Sequence, residues 1–294
     1  MSSPVKCVMI LSARSSGSSA LQNLLTSSTP ARHVDATRHF EHETLFWLKA
    51  AAVLGLPQLT MADSRLPFGA AAARADLVAL LRDNIGPGYP IPEDNDALIF
   101  GGWRDLCQRY APAFVEKSPH HLHQWAALQL VAASMVRVPE VDLLLVGLVR
   151  NPMDTLYSMW QRWRGMPEDN ERDWLTAYQN LLRFRERLGQ HLLILRYEDM
   201  VRNPALLDPV YHFLDVAPQR SDYLHRESLG KWRNDPRFGF HLSEETLALA
   251  EQYGYPHEEL ISTNHAPLWP LYRRASRIYV RRVQPMLRRV IRNA

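Results

Sequence analysis

Short apolar runs take turns with helically spaced segments along most of this chain, and that alternation narrows the folds open to it. Val5–Ser12 (VKCVMILS) is rich in strand formers, and a serine-rich turn separates it from ALQNLL, where Leu21, Leu24 and Leu25 recur at helical spacing. Helical patterns return over 70–84, 121–136, 152–164, 171–188, 204–214 and 243–253, and short apolar runs over 97–101, 113–116, 141–149 and 191–197. Strands alternating with helices predict an α/β fold whose central parallel sheet is covered by helices on both faces. Between 55 and 99 the pattern loosens, and the turn formers of GPGYPIPEDND (86–96) predict a loop or lid. No repeat or linker forces a boundary, so a single domain over 1–294 is expected.

Hydrophobic residues make up 46% and charged residues 22% of the chain, which excludes overall disorder and collagenous classes. Cys7 and Cys107 alone make no disulfide framework, and a reducing compartment is the natural home for such a chain. The most apolar stretch, 143–149, lies between Asp142 and Arg150 and is far short of the ~20 residues of a membrane span. The apolar residues after Lys6 are too few for a signal-peptide core, so a cytoplasmic location is expected. A net charge of +3 does not announce a nucleic-acid partner. The charge is uneven, however: eight arginines (273, 274, 277, 281, 282, 288, 289, 292) follow Glu259 with no acid after it.

Two loops have the chemistry of phosphate cradles. The first strand runs into Ser12-Ala13-Arg14-Ser15-Ser16-Gly17-Ser18-Ser19 ahead of a helix, where free N–H groups, serine hydroxyls and a permissive glycine suit anionic oxygens. A serine-rich turn that only caps the helix has the same appearance. The loop is not a Walker A motif, for it has one glycine and no lysine. The second loop is Arg150-Asn151-Pro152-Met153-Asp154-Thr155-Leu156-Tyr157-Ser158. Asn151 suits an N-cap, Pro152 the first helical position, and Asp154 a capping side chain that reaches back. Arg150 emerges at the carboxyl end of a central strand, where open α/β sheets bind ligands, and with Ser158 it suits a dianionic phosphate.

These two loops resemble those of the sulfotransferases that use 3′-phosphoadenosine 5′-phosphosulfate (PAPS), which have a first loop of R/K-S-G-S/T-S/T type and a later R-x-P-x-D-x-x-x-S motif. The resemblance implies the P-loop NTPase-like sulfotransferase fold, PAPS as sulfuryl donor and adenosine 3′,5′-bisphosphate (PAP) as product. It places the 5′-phosphosulfate on Arg14, Ser15, Ser16, Gly17, Ser18 and Ser19, and the 3′-phosphate on Arg150 and Ser158. The first loop departs from the pattern, since Ser15 stands where the family has its basic residue and Arg14 lies one position further back. Glu116-Lys117-Ser118-Pro119 is similar to an E-K-[ST]-P stretch of carbohydrate-type members, whose lysine lies near the transferring group. Ser228-Leu229-Gly230-Lys231-Trp232-Arg233 resembles a loop that closes over the nucleotide, which implies cofactor contacts for Ser228, Lys231 and Trp232 and leaves the phosphate contact open between Arg226, Lys231 and Arg233. The strand ending in Tyr197-Glu198-Asp199 matches a structural landmark of the family.

In-line sulfuryl transfer needs cations and N–H donors at the departing phosphate, for which Lys117, Arg14 and the amides of residues 16–19 are candidates. The acceptor needs a general base. Glu43 and then Glu41 lead Asp35 and His39, because both glutamates precede or begin a helix expected over 43–52. No metal is implied, although acids at a helix start are also favoured by the dipole alone. The resemblance points to a carbohydrate or glycolipid acceptor, with 55–99 on the acceptor side. The basic tail over 268–294, with apolar residues at roughly helical spacing, suits either an anionic membrane or a helix docked on the domain. The rival readings are a P-loop phosphotransferase (kinase), and a non-catalytic module binding a membrane surface or polyanion.

Overall fold

All of β1 (Val5–Ser12) except Lys6 is buried, because the strand is covered on both faces. Side chains alternate across a strand, so Cys7, Met9 and Leu11 enter one core while Val8 and Ile10 enter the other. The computed structural model describes residues 3–61, 64, 66–219, 224, 226–262, 266–284 and 286. β2 (Ala113–Lys117), β3 (Val141–Val149) and β4 (Leu192–Arg196) join β1 in a four-stranded, wholly parallel sheet of order β2-β1-β3-β4.

The helices that precede β3 are α1 (Ser18–Ser28), α2 (Phe46–Val53), α3 (Ala70–Ile85), α4 (Gly102–Arg109), α5 (His120–His123) and α6 (Trp125–Arg137). α7 (Pro152–Trp163) and α8 (Pro167–Leu188) link β3 to β4; α9 (Tyr197–Arg202), α10 (Asp208–Phe213), α11 (Glu244–Gln252) and α12 (Trp269–Ile278) follow. The larger core joins one sheet face to α2, α3, α4, α6 and α8, and the smaller joins the other face to α1, α9 and α10. A third cluster, outside the sheet, packs α7 against Trp232, Phe238, Phe240 and Trp269.

Ser12 pairs with Leu148 in the β1/β3 register, so the loops after these two strands leave the sheet side by side. The chain passes from β1 to β2 on one flank and later places β3 on the other, which opens the crevice in which α/β sheets bind ligands.

Two expectations are corrected. The apolar run 97–101 is not a strand but a π-helical turn, Ala97–Gly101, that continues into α4. Five apolar residues carry no period to separate a strand from a buried helix, and here Asp94 accepts from the Ala97 N–H (2.7 Å) and starts a helix. No helix begins at Glu43; α2 starts at Phe46, after Glu41, His42 and Leu45 with positive φ. The helix expected over 70–84 forms as α3, and the loop expected over 86–96 is irregular as far as 94, where the helical turn leading into Ala97 begins. Among the described residues no helix is long and apolar enough to cross a membrane.

Candidate active site at the carboxyl edge of the sheet

Gly17 caps α1 at φ 91°, and a Cβ there would lie 2.3 Å from the Tyr197 ring. Only glycine satisfies both the left-handed backbone and that contact. Tyr197 is thus the floor of the first loop, and the Arg150 guanidinium also sits over its ring at 5.0 Å. On the opposite side, buried Tyr178 of α8 bonds the Ser16 hydroxyl (2.9 Å), accepts from the Ala13 N–H (3.3 Å) and donates to the Leu148 carbonyl (2.9 Å). One phenol therefore ties the first loop to the end of β3. Ser15, at φ 61°, presents its carbonyl to Arg150 (3.0 Å).

Arg150 is the hub of the second loop. Its other terminal nitrogen donates to the Ser228 carbonyl (2.9 Å), so it joins the first loop to the 228–233 segment, while its buried Nε has no partner. Asn151 caps α7 with its own side chain, accepting from Met153 and Asp154 N–H groups. Asp154 therefore does not cap: it accepts from Gly230 N–H (2.8 Å) and fastens the 228–233 segment to α7. Burial pushes the Asp154 carboxyl up to about 6, against the pull of the Arg150 charge. Ser158 is half-buried two turns into α7. Trp232 is 1% exposed and packs in the third core cluster, so it anchors its loop there, leaving Lys231 and Arg233 exposed beside it.

Arg14 is turned away from the first loop's serines. It forms an ion pair with Asp173 of α8 (2.8 Å), whose other oxygen lies 3.4 Å from His123 Nε2. A fork already engaged by a carboxylate is a weaker phosphate ligand, which fits its displacement from the family's usual position.

Lys117, the last residue of β2, is the buried cation of the site. Its Nζ lies 3.7 Å from Glu41 and 3.5 Å from Glu43 and has no hydrogen-bond partner among the described residues, although its side chain is 0% exposed. Glu41 also accepts from Ser19 in the first turn of α1 and from Arg162 of α7 (2.8 Å), which brings Lys117 to the mouth of the first loop. Burial pushes the Glu41 carboxyl up, but the hydrogen bonds from Ser19 and Arg162, with the Lys117 charge, leave it below the usual carboxylate range. Glu43 faces Lys117 with one oxygen and His120 Nδ1 with the other (3.6 Å).

The loop that presents both glutamates is held from below by Glu116. This wholly buried carboxylate accepts from Thr44 (2.7 Å) and Ser118, while Ser118 accepts from the Leu45 N–H (3.0 Å). The strand end that bears Lys117 is thereby clamped to the loop that bears Glu43. The remaining candidates lie apart from Lys117. Asp35 is exposed, its backbone N–H donating to Asn84 and Tyr110. His39 lies 3.9 Å from Asp76 of α3, and burial, then the Lys49 charge, lowers it to about 4, so it is neutral at physiological pH.

Sequence reasoning missed Tyr178, Trp174, Asp173, Asp76 and the anchoring role of Glu116. Trp174 donates to the Arg150 carbonyl (3.2 Å). Only Glu116 sits in a local motif; Asp173, Trp174 and Tyr178 are brought in by α8, more than a hundred residues from the first loop. Cap chemistry and strand ends were the only signals available in the sequence.

The parallel sheet, with two loops side by side at its carboxyl edge, defines a P-loop-like α/β fold. The chain matches the Sulfotransferase family over residues 7–219 and belongs to that family. The kinase alternative falls with that membership. Among solved structures it is similar to the sulfotransferase domain from the curacin biosynthetic pathway, at 19% identity and TM-score 0.53 over 87% of this chain and 99% of that one. It is equally similar to the sulfotransferase domain of the Synechococcus PCC 7002 olefin synthase, at 19% identity and TM-score 0.53, covering 87% and 97%. Both likenesses establish the fold. No curated protein sequence matches the chain.

Proposed function

We propose that this chain transfers a sulfuryl group from PAPS to a hydroxyl or amine of an acceptor, with a carbohydrate or glycolipid as the acceptor class. The observation that carries this reading is Lys117: a fully buried ammonium without a hydrogen-bond partner, between two carboxylates at the mouth of the first loop. A buried N–H donor left without an acceptor at hydrogen-bond distance is costly unless a ligand completes it. Arg150 Nε is unpaired in the same way. The residues therefore fit an elongated anion with charge at both ends.

When bound, PAPS supplies the sulfuryl group and a phosphate leaving group. The N–H groups at the start of α1 and the hydroxyls of Ser16, Ser18 and Ser19 would hold its 5′ end, with Lys117 meeting the charge that develops there. Arg150 and Ser158 would take the 3′-phosphate, and Ser228 and Lys231 would close the site from the loop that Asp154 secures. Glu43 takes the acceptor's proton, and His120 beside its second oxygen orients it. Glu41, already engaged by Ser19 and Arg162, holds the entrance. Asp76 of α3 pairs with Arg38 (3.0 Å) and lies 3.9 Å from His39, in the segment that leads to Glu41 and Glu43, and this supports placing the 55–99 region on the acceptor side. Buried free thiols at Cys7 and Cys107 support a cytoplasmic location.

Calorimetric titration with PAP, with ADP and ATP as controls, tests the reading. PAP should bind in preference to ADP, and Arg150→Ala should weaken it by roughly 10-fold to 100-fold, the scale of charge-assisted hydrogen bonds to phosphate. Equal affinity for ADP and PAP would overturn the donor assignment.

A further inference from the structure

We propose that α12 is a docking element for an anionic lipid surface. The helical backbone begins at Trp269 and continues through a π-helical turn, Tyr279–Val283. It has three faces. Trp269, Tyr272 and Ser276, three and four residues apart, dock on α7: both rings contact Trp160, and Ser276 accepts from the Trp160 indole N–H (3.1 Å).

A second face is apolar and points to solvent. Leu271 is 65% exposed and Ile278 48%, with Ala275 between them and Leu268 at 43% just before the helix. This is the very stripe whose helical spacing is visible in the sequence, and the domain core does not take it. The third face carries Arg274, Arg277 and Arg281, all exposed, with Arg282 following on the apolar side.

A soluble helix end normally buries its apolar stripe and leaves its charges in water. Here a different set of residues makes the domain contact, and the apolar stripe is left flanked by cations. A polyanion such as nucleic acid would satisfy the arginines and leave Leu271 and Ile278 in water. A bilayer interface with acidic headgroups takes both, since acyl chains accept the aliphatic stripe and headgroups the guanidinium groups. Charge complementarity is one-sided as well, because no acid follows Glu259 in the sequence.

The position of α12 gives the docking a use. It packs on Trp160, and two residues further along α7 Arg162 reaches Glu41 at the mouth of the site. The docking helix and the candidate entrance therefore share α7 as their support. On the sulfotransferase reading, this would deliver a lipid-anchored acceptor beside Glu43; the docking itself does not depend on that reading.

Co-sedimentation of the full chain with vesicles tests the proposal without any turnover. Phosphatidylcholine vesicles are compared with vesicles holding about 30% phosphatidylglycerol, at about 0.1 M and about 0.5 M salt. Anionic vesicles should retain at least about tenfold more protein than neutral ones at low salt, and high salt should release most of it. Leu271→Ser with Ile278→Ser, and separately Arg274→Gln with Arg277→Gln, should each cut retention by about fivefold or more. All four residues are exposed, so melting temperature and PAP affinity should stay as in the parent protein. Equal retention on both vesicle types, or full retention by either double variant, would overturn the proposal. So would a parent dimer that Leu271→Ser with Ile278→Ser converts to monomer in light scattering without any vesicle binding, since the stripe would then be a self-interface.

Discussion

Two glutamates face one lysine, and their partners separate their roles. Glu41 is held by Ser19 and Arg162, whereas among the described residues the Glu43 carboxylate meets Lys117 and His120 at 3.5 and 3.6 Å. Glu43→Gln should therefore lower kcat by about 10² to 10⁴ with PAP affinity retained, the usual reach of a general base. Glu41→Gln should cost less than about tenfold in the same assay, its effect falling on loop order. Comparable losses in both would reverse the assignment. Asp154 offers a test by pH. Its carboxyl is raised from 3.8 to about 6, chiefly by burial, so between those values the folded state keeps a proton that the unfolded state has released. Stability from this group is present below about pH 4 and lost as pH rises through about 6. Asp154→Asn has no such term, and in urea titrations it should gain on the parent protein by up to about 3 kcal/mol between pH 4 and pH 7. A difference that does not change with pH would show that Asp154 ionises freely.

At the scale of elements, the first loop is a joint between β1, α1 and the Tyr197 ring. Gly17→Ala would force a methyl group into that ring at positive φ, and a loss of at least about 1 to 3 kcal/mol is expected together with loss of PAP binding. Calorimetry and thermal melts read both, and unchanged PAP affinity would mean that the loop is not the cradle. The joint also shows what sequence can and cannot reveal. Asn151, Pro152 and Gly17 were legible because capping and left-handed turns are decided by the residues that make them. Glu43 was mislocated onto a helix because the positive φ of Glu41, His42 and Leu45 comes from contacts far along the chain: Thr44 and Leu45 are held by Glu116 and Ser118. The resemblance placed Arg14 among the first loop's phosphate contacts, and in the structure Asp173, brought by α8, pairs with it.

At the scale of the whole molecule, the nucleotide site would couple three segments that the sheet brings together: the first loop, the end of β3 and the 228–233 loop, already bridged by Arg150. A ligand that binds this assembled state stabilises it by mass action. PAP at a hundredfold excess over its Kd should add about 2.7 kcal/mol and raise the melting temperature. Lys117→Ala should reduce the PAP-dependent shift less than Arg150→Ala does, since Lys117 chiefly meets charge that develops on the departing phosphate during transfer, while turnover is lost. Retained turnover in Lys117→Ala would instead favour the non-catalytic reading of this buried lysine.

The sequence by itself determined the alternation of strands and helices, the parallel sheet, and the two loops where anionic oxygens can be met by N–H groups. These are local properties: apolar period, strand formers and cap residues act over a few positions. Only the tertiary structure decided which two of four titratable side chains stand beside Lys117, that Asp154 holds a distant loop rather than its own helix, and which face of α12 the domain covers. Those outcomes depend on contacts between segments up to a hundred and more residues apart, where packing and the cost of burying an unpaired charge outweigh any preference written in the neighbouring residues.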